Sequence, residues 1–198
     1  MRSNSRMILS KVAALGLFAA VALVLYIVES LIPSFIPIPG IKLGLANIVT
    51  LFLLVRFKPW EAGIVLLVRL VLAAAIAGQM ISFLYSLAGG LLCLLSMYLL
   101  LIFTKKKWIP LVSITGALFH NFGQLCVARL LLASEYVWTY LPYLMLSGAV
   151  TGLLTGLICL FLHKKMPSSE TIRGEGMQDP EADNEDAEKN KSGENHSL

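Results

Sequence analysis

Three polar residues inside an apolar stretch carry most of the chemical content of this chain: His120, Asn121 and Gln124. An imidazole and two carboxamides supply both hydrogen-bond donors and acceptors. On a helix, Asn121 lies about 100° and Gln124 about 40° round from His120, so the three share one sector. Gly116 and Gly123 flank that sector and would let a ligand or a neighbouring helix come close. The surrounding run, Trp108 to Ala133, is otherwise built for lipid or a buried core. Polar groups at membrane depth are costly and normally face a bundle interior or a wet cavity. The plain alternative is interhelical hydrogen bonding that only holds the bundle together. Three such residues in one sector favour a site.

Other polar residues in apolar surroundings extend the candidate set. Arg69 lies about ten residues, roughly 15 Å, along a helix that would open at Pro59. Snorkelling from that depth is difficult, so a counter-charge, a carbonyl or an anionic ligand is expected beside it. Lys42 and Asn47 follow a Pro-rich stretch, Gln79 follows Gly78 at a turn, and Tyr85 lies at the outer end of the next helix. These five, with His120, Asn121 and Gln124, are the expected substrate contacts. Glu29 and Arg129 are secondary candidates, Arg129 because it falls about 180° from His120 on an ideal wheel. Ala13, Gly16 and Ala20 form a small-residue stripe on the first helix, suited to docking a partner helix. Glu29 falls about 160° from that stripe, so one face could dock while the other looks inward.

The elements that must position these residues are membrane helices. The 198 residues are 57% hydrophobic, with a mean hydropathy of +0.77, which is the composition of a polytopic membrane protein. Apolar runs predict six helices at about 12–32, 43–55, 60–77, 80–103, 108–133 and 137–162. The second is short for a crossing. Gly148, Gly152 and Gly156 give the sixth a face for tight packing. Basic residues cluster at the N-terminus, at Arg56 and Lys58, at Lys105–Lys107 and at Lys164 and Lys165. Every second loop is therefore positive, which predicts an all-α, six-helix bundle in the cytoplasmic membrane with both termini inside.

Nine of the 12 acids follow residue 163, leaving Glu29, Glu61 and Glu135 in the bundle. The division expected is a transmembrane domain at 1–165 and a disordered acidic cytoplasmic tail at 166–198. Cys93, Cys126 and Cys159 show neither CxxC nor Cys/His spacing and read as packing residues. No nucleic-acid patch is visible. No P-loop, Gly-rich dinucleotide fingerprint or HExxH is present, and no Ser/His/Asp or Cys/His set can be assembled. Prenyl diphosphate chemistry would need carboxylates holding magnesium, and the one acid-rich stretch, Asp179 to Glu188, lies in the tail. A non-catalytic binding or translocation module is expected, with no metal and no cofactor.

Three stretches in order, Ile38 to Val49, Ser82 to Gly90 and Gly116 to Gln124, resemble the Gx transporter family, also named heptaprenyl diphosphate synthase component I. The likeness runs from about Val12 to Leu162. That family is similar to the substrate-binding S components of energy-coupling factor transporters. The resemblance implies six helices, capture of a vitamin-like, flavin-like or isoprenoid- or quinone-precursor-like molecule at the outer half, and docking of a coupling protein through small residues on the first helix. ATPase subunits would be separate chains, since no nucleotide site is present here. The alternative is a non-catalytic membrane partner or scaffold for heptaprenyl diphosphate or quinone synthesis.

The topology has a direct test. Single cysteines at Ser34 and Ser168, in a background lacking the three native ones, can be labelled with an impermeant reagent on intact cells. Labelling at Ser34 and not at Ser168 is expected, and the reverse would overturn the orientation.

Overall fold

The computed structural model describes residues 2–31, 42, 44–104 and 108–165, with side chains from residue 8. The Pro33–Gly40 loop, the Lys105–Lys107 loop and the 166–198 tail lie outside the described residues. Residues 1–162 form one compact unit; of the second, 163–198, only the last three residues of a helix are described.

The described residues form helices joined by short turns and extended pieces, with no strand among them. The first helix, α1 (Arg2–Leu31), begins ten residues before the expected start at 12. No Gly or Pro interrupts Arg2 to Lys11, so the helix continues through the polar segment. The apolar run there marked a change of composition and not a helix end.

The second helix corrects the sequence reading more sharply. Expected from 43, α2 spans Asn47–Arg56. Gly44 takes a left-handed φ of +87°, and the chain turns through Leu45 and Ala46, with the Asn47 N–H donating to the Gly44 carbonyl at 2.9 Å. Ten residues rise about 15 Å, half of a hydrocarbon core about 30 Å thick. Asn47 and every residue from Val49 to Val55 are buried, because α2 touches α1, α3, α4 and α5. It is the inner element of the bundle.

Pro59 opens α3 (Pro59–Ala77), its fixed φ suiting the first turn, and Gly78 closes it in the left-handed region at φ +63°. Next come α4 (Met80–Thr104) and α5 (Ile109–Leu132). Expected at 137, α6 instead starts later and spans Leu141–Lys165, after a 3-10 helix at Glu135–Tyr140. Ala133, at φ +47°, breaks the path between α5 and that turn.

Five helical stretches, Ile8–Leu31, Pro59–Ala77, Met80–Thr104, Ile109–Leu132 and Glu135–Lys165, are long and apolar enough to cross a membrane. Their outward faces carry Leu17, Val24, Val71, Ile76, Leu95, Ile102, Leu130 and Phe161, all exposed, while Glu29, Asn47, Arg69, His120, Asn121 and Gln124 are buried. Apolar residues outside and polar residues inside are the arrangement of a multi-pass membrane protein.

Glycines set how closely the helices approach. A Cβ at Gly123 would meet the Ala88 carbonyl oxygen at 2.9 Å, so the room that Gly123 leaves is filled by α4. On α6, a Cβ at Gly152 would meet the Ile114 Cα at 2.7 Å and one at Gly156 the Pro110 Cα at 2.7 Å. The four-residue glycine face of α6 therefore lies directly on the α5 backbone. The Ser113 and Thr155 hydroxyls bond across that contact at 2.9 Å.

Near the helix starts, Lys11 on α1 pairs with buried Glu61 on α3 at 2.6 Å, and Glu61 also accepts the Lys58 N–H at 3.1 Å. Gly16, by contrast, is exposed and a Cβ there would meet nothing within 4 Å.

Gly152→Ala should therefore lower the thermal midpoint in detergent, with overpacking costing about 1–3 kcal/mol. Gly16→Ala should leave the midpoint unchanged or slightly raised, since alanine favours helix. Equal midpoints for the two variants would contradict the glycine seam.

Candidate functional site

The site forms where non-helical backbone enters the bundle ahead of α2. Backbone amides away from water must be paired, and at Lys42 and Gly44 the chain is not helical and supplies no such partners of its own. Side chains do so instead. The Lys42 N–H donates to the Gln124 Oε1 at 3.0 Å, and the Gln124 Nε2 donates back to the Lys42 carbonyl at 3.1 Å. The Gly44 N–H donates to the Glu29 carboxylate. Gln124 on α5 and Glu29 on α1 thus hold the same short segment from two sides.

His120, one turn before Gln124, joins this arrangement through its Nε2, 2.6 Å from the Gln124 Nε2. The other edge of the ring lies against α4, where a Cβ on Gly89 would come 2.9 Å from the His120 Nδ1. Only glycine at 89 leaves space for the imidazole. Asn121 faces α6 and donates from Nδ2 to the Leu144 carbonyl at 2.6 Å. A Cβ at Gly148 would meet that same Nδ2 at 2.5 Å, so the glycine face of α6 also makes room for this bond.

The charges are arranged around the entering segment. Lys42 places its Nζ 3.2 Å from the centroid of the Tyr26 ring, a cation–π contact, and the Tyr26 hydroxyl lies 3.3 Å from the Ser82 Oγ. Arg69 is 3% exposed. It lies within electrostatic range of Cys93, Glu29 and Tyr26, and Glu29 in turn within range of Lys42. The ion pairs within 4 Å among the described residues, Lys11–Glu61 and Arg129–Glu135, do not include it.

Several buried polar atoms are left over. The Arg69 Nε, the Asn47 Nδ2 and the Asn121 Oδ1 have no hydrogen-bond partner among the described residues, while the His120 Nδ1 lies against the Gly89 backbone. Asn47 is close to the others: a Cβ on Gly44 would come 2.7 Å from its Nδ2 and 3.1 Å from the His120 Cδ2. Lone buried groups of this kind are rare and costly. Two cations facing one carboxylate, with unbonded donors nearby, form a setting suited to an acceptor-rich group. Among the described residues no cluster of His, Cys, Asp or Glu could hold a metal ion.

The structure thus brings together Lys42, Asn47, Arg69, His120 and Gln124, with Glu29 inside the same cluster, while the Asn121 side chain turns to α6 instead. Gln79 is exposed on the turn between α3 and α4 and takes no part. Arg129 pairs with exposed Glu135 near the 3-10 helix, which follows from its position across the helix from His120. Tyr85 is buried in an apolar cluster with Leu125, Ala128, Val137 and Leu144. Ala13, Gly16 and Ala20 are exposed on α1.

Sequence reasoning missed Tyr26, whose signal was its place one turn before Glu29 on the same face. It also missed the pairing of Lys11 with Glu61, and the role of Gly44 and Gly89 in seating His120.

No curated protein and no solved structure matches this chain. A family match does extend over most of it, covering α2 to α5 and reaching into α1 and α6. On that match, which runs over residues 18–162, the chain belongs to the family described as heptaprenyl diphosphate synthase component I.

Proposed function

We propose that this chain is a membrane-embedded substrate-binding component of a small-molecule transport system, with the ligand taken up by the buried polar cluster. The observation that carries this reading is Arg69, buried in the bundle with its Nε unbonded and no carboxylate within ion-pair distance. An arginine left so at membrane depth is costly, and a ligand that satisfies it offsets that cost. Six membrane passes, N- and C-termini in the cytoplasm, and ligand entry at the outer half complete the proposal, with α2 and the segment before it serving as one pass. As part of this proposal the chain works like an energy-coupling factor S component, with a coupling protein docked on α1. There Ala13, Gly16 and Ala20 are exposed, and a Cβ at Gly16 meets nothing.

The name of the family favours a second reading, a membrane component that acts with another subunit of a heptaprenyl diphosphate synthase. In either role the chain is proposed to lack catalysis of its own. The three bundle carboxylates are each engaged: Glu61 with Lys11, Glu135 with Arg129, and Glu29 with the Gly44 amide. None is free to share a magnesium ion with a diphosphate.

The two readings part on a purification. The small molecule that copurifies with the detergent-solubilised protein can be identified by mass spectrometry, removed and added back. At a concentration 100 times its Kd it should raise stability by about 2.7 kcal/mol. Arg69→Met, which keeps rough volume, should fold, purify without the molecule and show no such gain. A fully folded Arg69→Met that retains the molecule and the gain would overturn the binding reading. Loss of assembly with a synthase subunit, and no ligand effect, would favour the second.

A further inference from the structure

The hydrogen-bond geometry fixes the donor and acceptor roles of Gln124 and His120. The Gln124 amide cannot be flipped, because its oxygen faces the Lys42 N–H at 3.0 Å and its nitrogen faces the Lys42 carbonyl at 3.1 Å. An amide nitrogen only donates, so the His120 Nε2, 2.6 Å away, must accept. The imidazole is therefore neutral and carries its hydrogen on Nδ1, the atom against Gly89. Both N–H groups of Gln124 are then used, one on the Lys42 carbonyl and one on the ring.

This settles the character of what remains. Within the cluster the unbonded buried atoms, the Arg69 Nε and the Asn47 Nδ2, are donors, as is the His120 Nδ1 against Gly89; the one unbonded acceptor beside them, the Asn121 Oδ1, belongs to a side chain that bonds α6. His120 adds no charge, so the cluster holds Arg69 and Lys42 against Glu29, an excess of one positive charge. The His120 Nδ1 is turned to α4, which leaves Arg69 and Asn47 as the unbonded donors. A cationic or donor-rich molecule would meet the wrong charge and the wrong partners.

Resting on the binding reading above, we propose that the cluster takes the anionic end of its ligand, a carboxylate or a phosphate group. Arg69 is its counter-charge, Asn47 a neutral donor, and His120 a positioning residue held neutral by Gln124. The shared chemistry is an anionic oxygen, which either a free small anion or an anionic lipid headgroup could supply.

The test uses the full chain with labelled histidine in phosphatidylcholine nanodiscs, with His163→Asn and His196→Asn leaving a single ring. Its nitrogen spectrum should show a protonated Nδ1 and an unprotonated Nε2. Inorganic phosphate should then shift the His120 resonances, with apparent affinity about tenfold or more weaker in Arg69→Met and in Asn47→Leu. Should Arg69→Met fail to fold, Arg69→Lys keeps the charge and should retain a weakened response. Replacing part of the lipid with phosphatidylglycerol distinguishes the sources: a shift on that change alone, not increased by phosphate, assigns the anion to a headgroup and supports the proposal. A ring protonated at Nε2, no response to either phosphate or phosphatidylglycerol, or a response to methylammonium instead, would overturn it. A phosphate response without any transport phenotype would leave the anion site standing and remove the transport reading.

Discussion

The structure depends on pairing a short piece of non-helical backbone inside an apolar bundle. Within a bilayer, an unpaired amide or carbonyl costs several kcal/mol, so irregular chain persists only where protein supplies the partners. Here the Gln124 carboxamide bonds both the N–H and the carbonyl of Lys42, as a neighbouring strand would, and Glu29 accepts the Gly44 amide. Those contacts fix where the turn falls and therefore where α2 starts. With α2 buried against four other helices, its starting point sets the packing of the bundle around it.

The same contacts divide the polar cluster into residues that hold the chain and residues that are left over. Gln124 is fully bonded, Asn121 spends its nitrogen on α6, and His120 is wedged between Gln124 and Gly89. These are not spare groups waiting for a ligand. They hold the surroundings of Arg69 and Asn47 rigid, and a site whose supporting residues are locked loses less conformational freedom on binding. Arg69 differs from them because nothing in the bundle answers its charge at ion-pair distance. Breaking or omitting one partner of a buried charge is strongly destabilising, which is why a retained lone arginine argues for something that completes it.

The long helices were legible because their apolar runs are long enough to cross a bilayer and are bounded by basic clusters. The glycine spacing on α6 was legible for the same reason, since small residues at four-residue intervals can only share a face. The sector of His120, Asn121 and Gln124 was also readable, but its meaning was not. Helical periodicity places three side chains on one face; it does not say that Gln124 reaches backbone 82 residues earlier in the chain. The start of α2 was misplaced because Leu43, Leu45 and Ala46 look helical, whereas the left-handed Gly44 and the contacts with α5 and α1 decide the turn. Gln79 looked like a site residue by its type, but the turn after Gly78 carries it out of the bundle. Lys11 and Glu61 could not be paired from sequence at all, because the packing of α1 on α3 is a tertiary choice.

A structure of the full chain, purified gently enough to keep what it binds, addresses the central claim most directly. The account predicts density that is not protein in contact with Arg69 and Asn47, with an oxygen about 3 Å from the guanidinium. Gln124 should stay bonded to the Lys42 backbone. Arg69 found in a direct ion pair with Glu29, with no additional density beside it, would contradict the account.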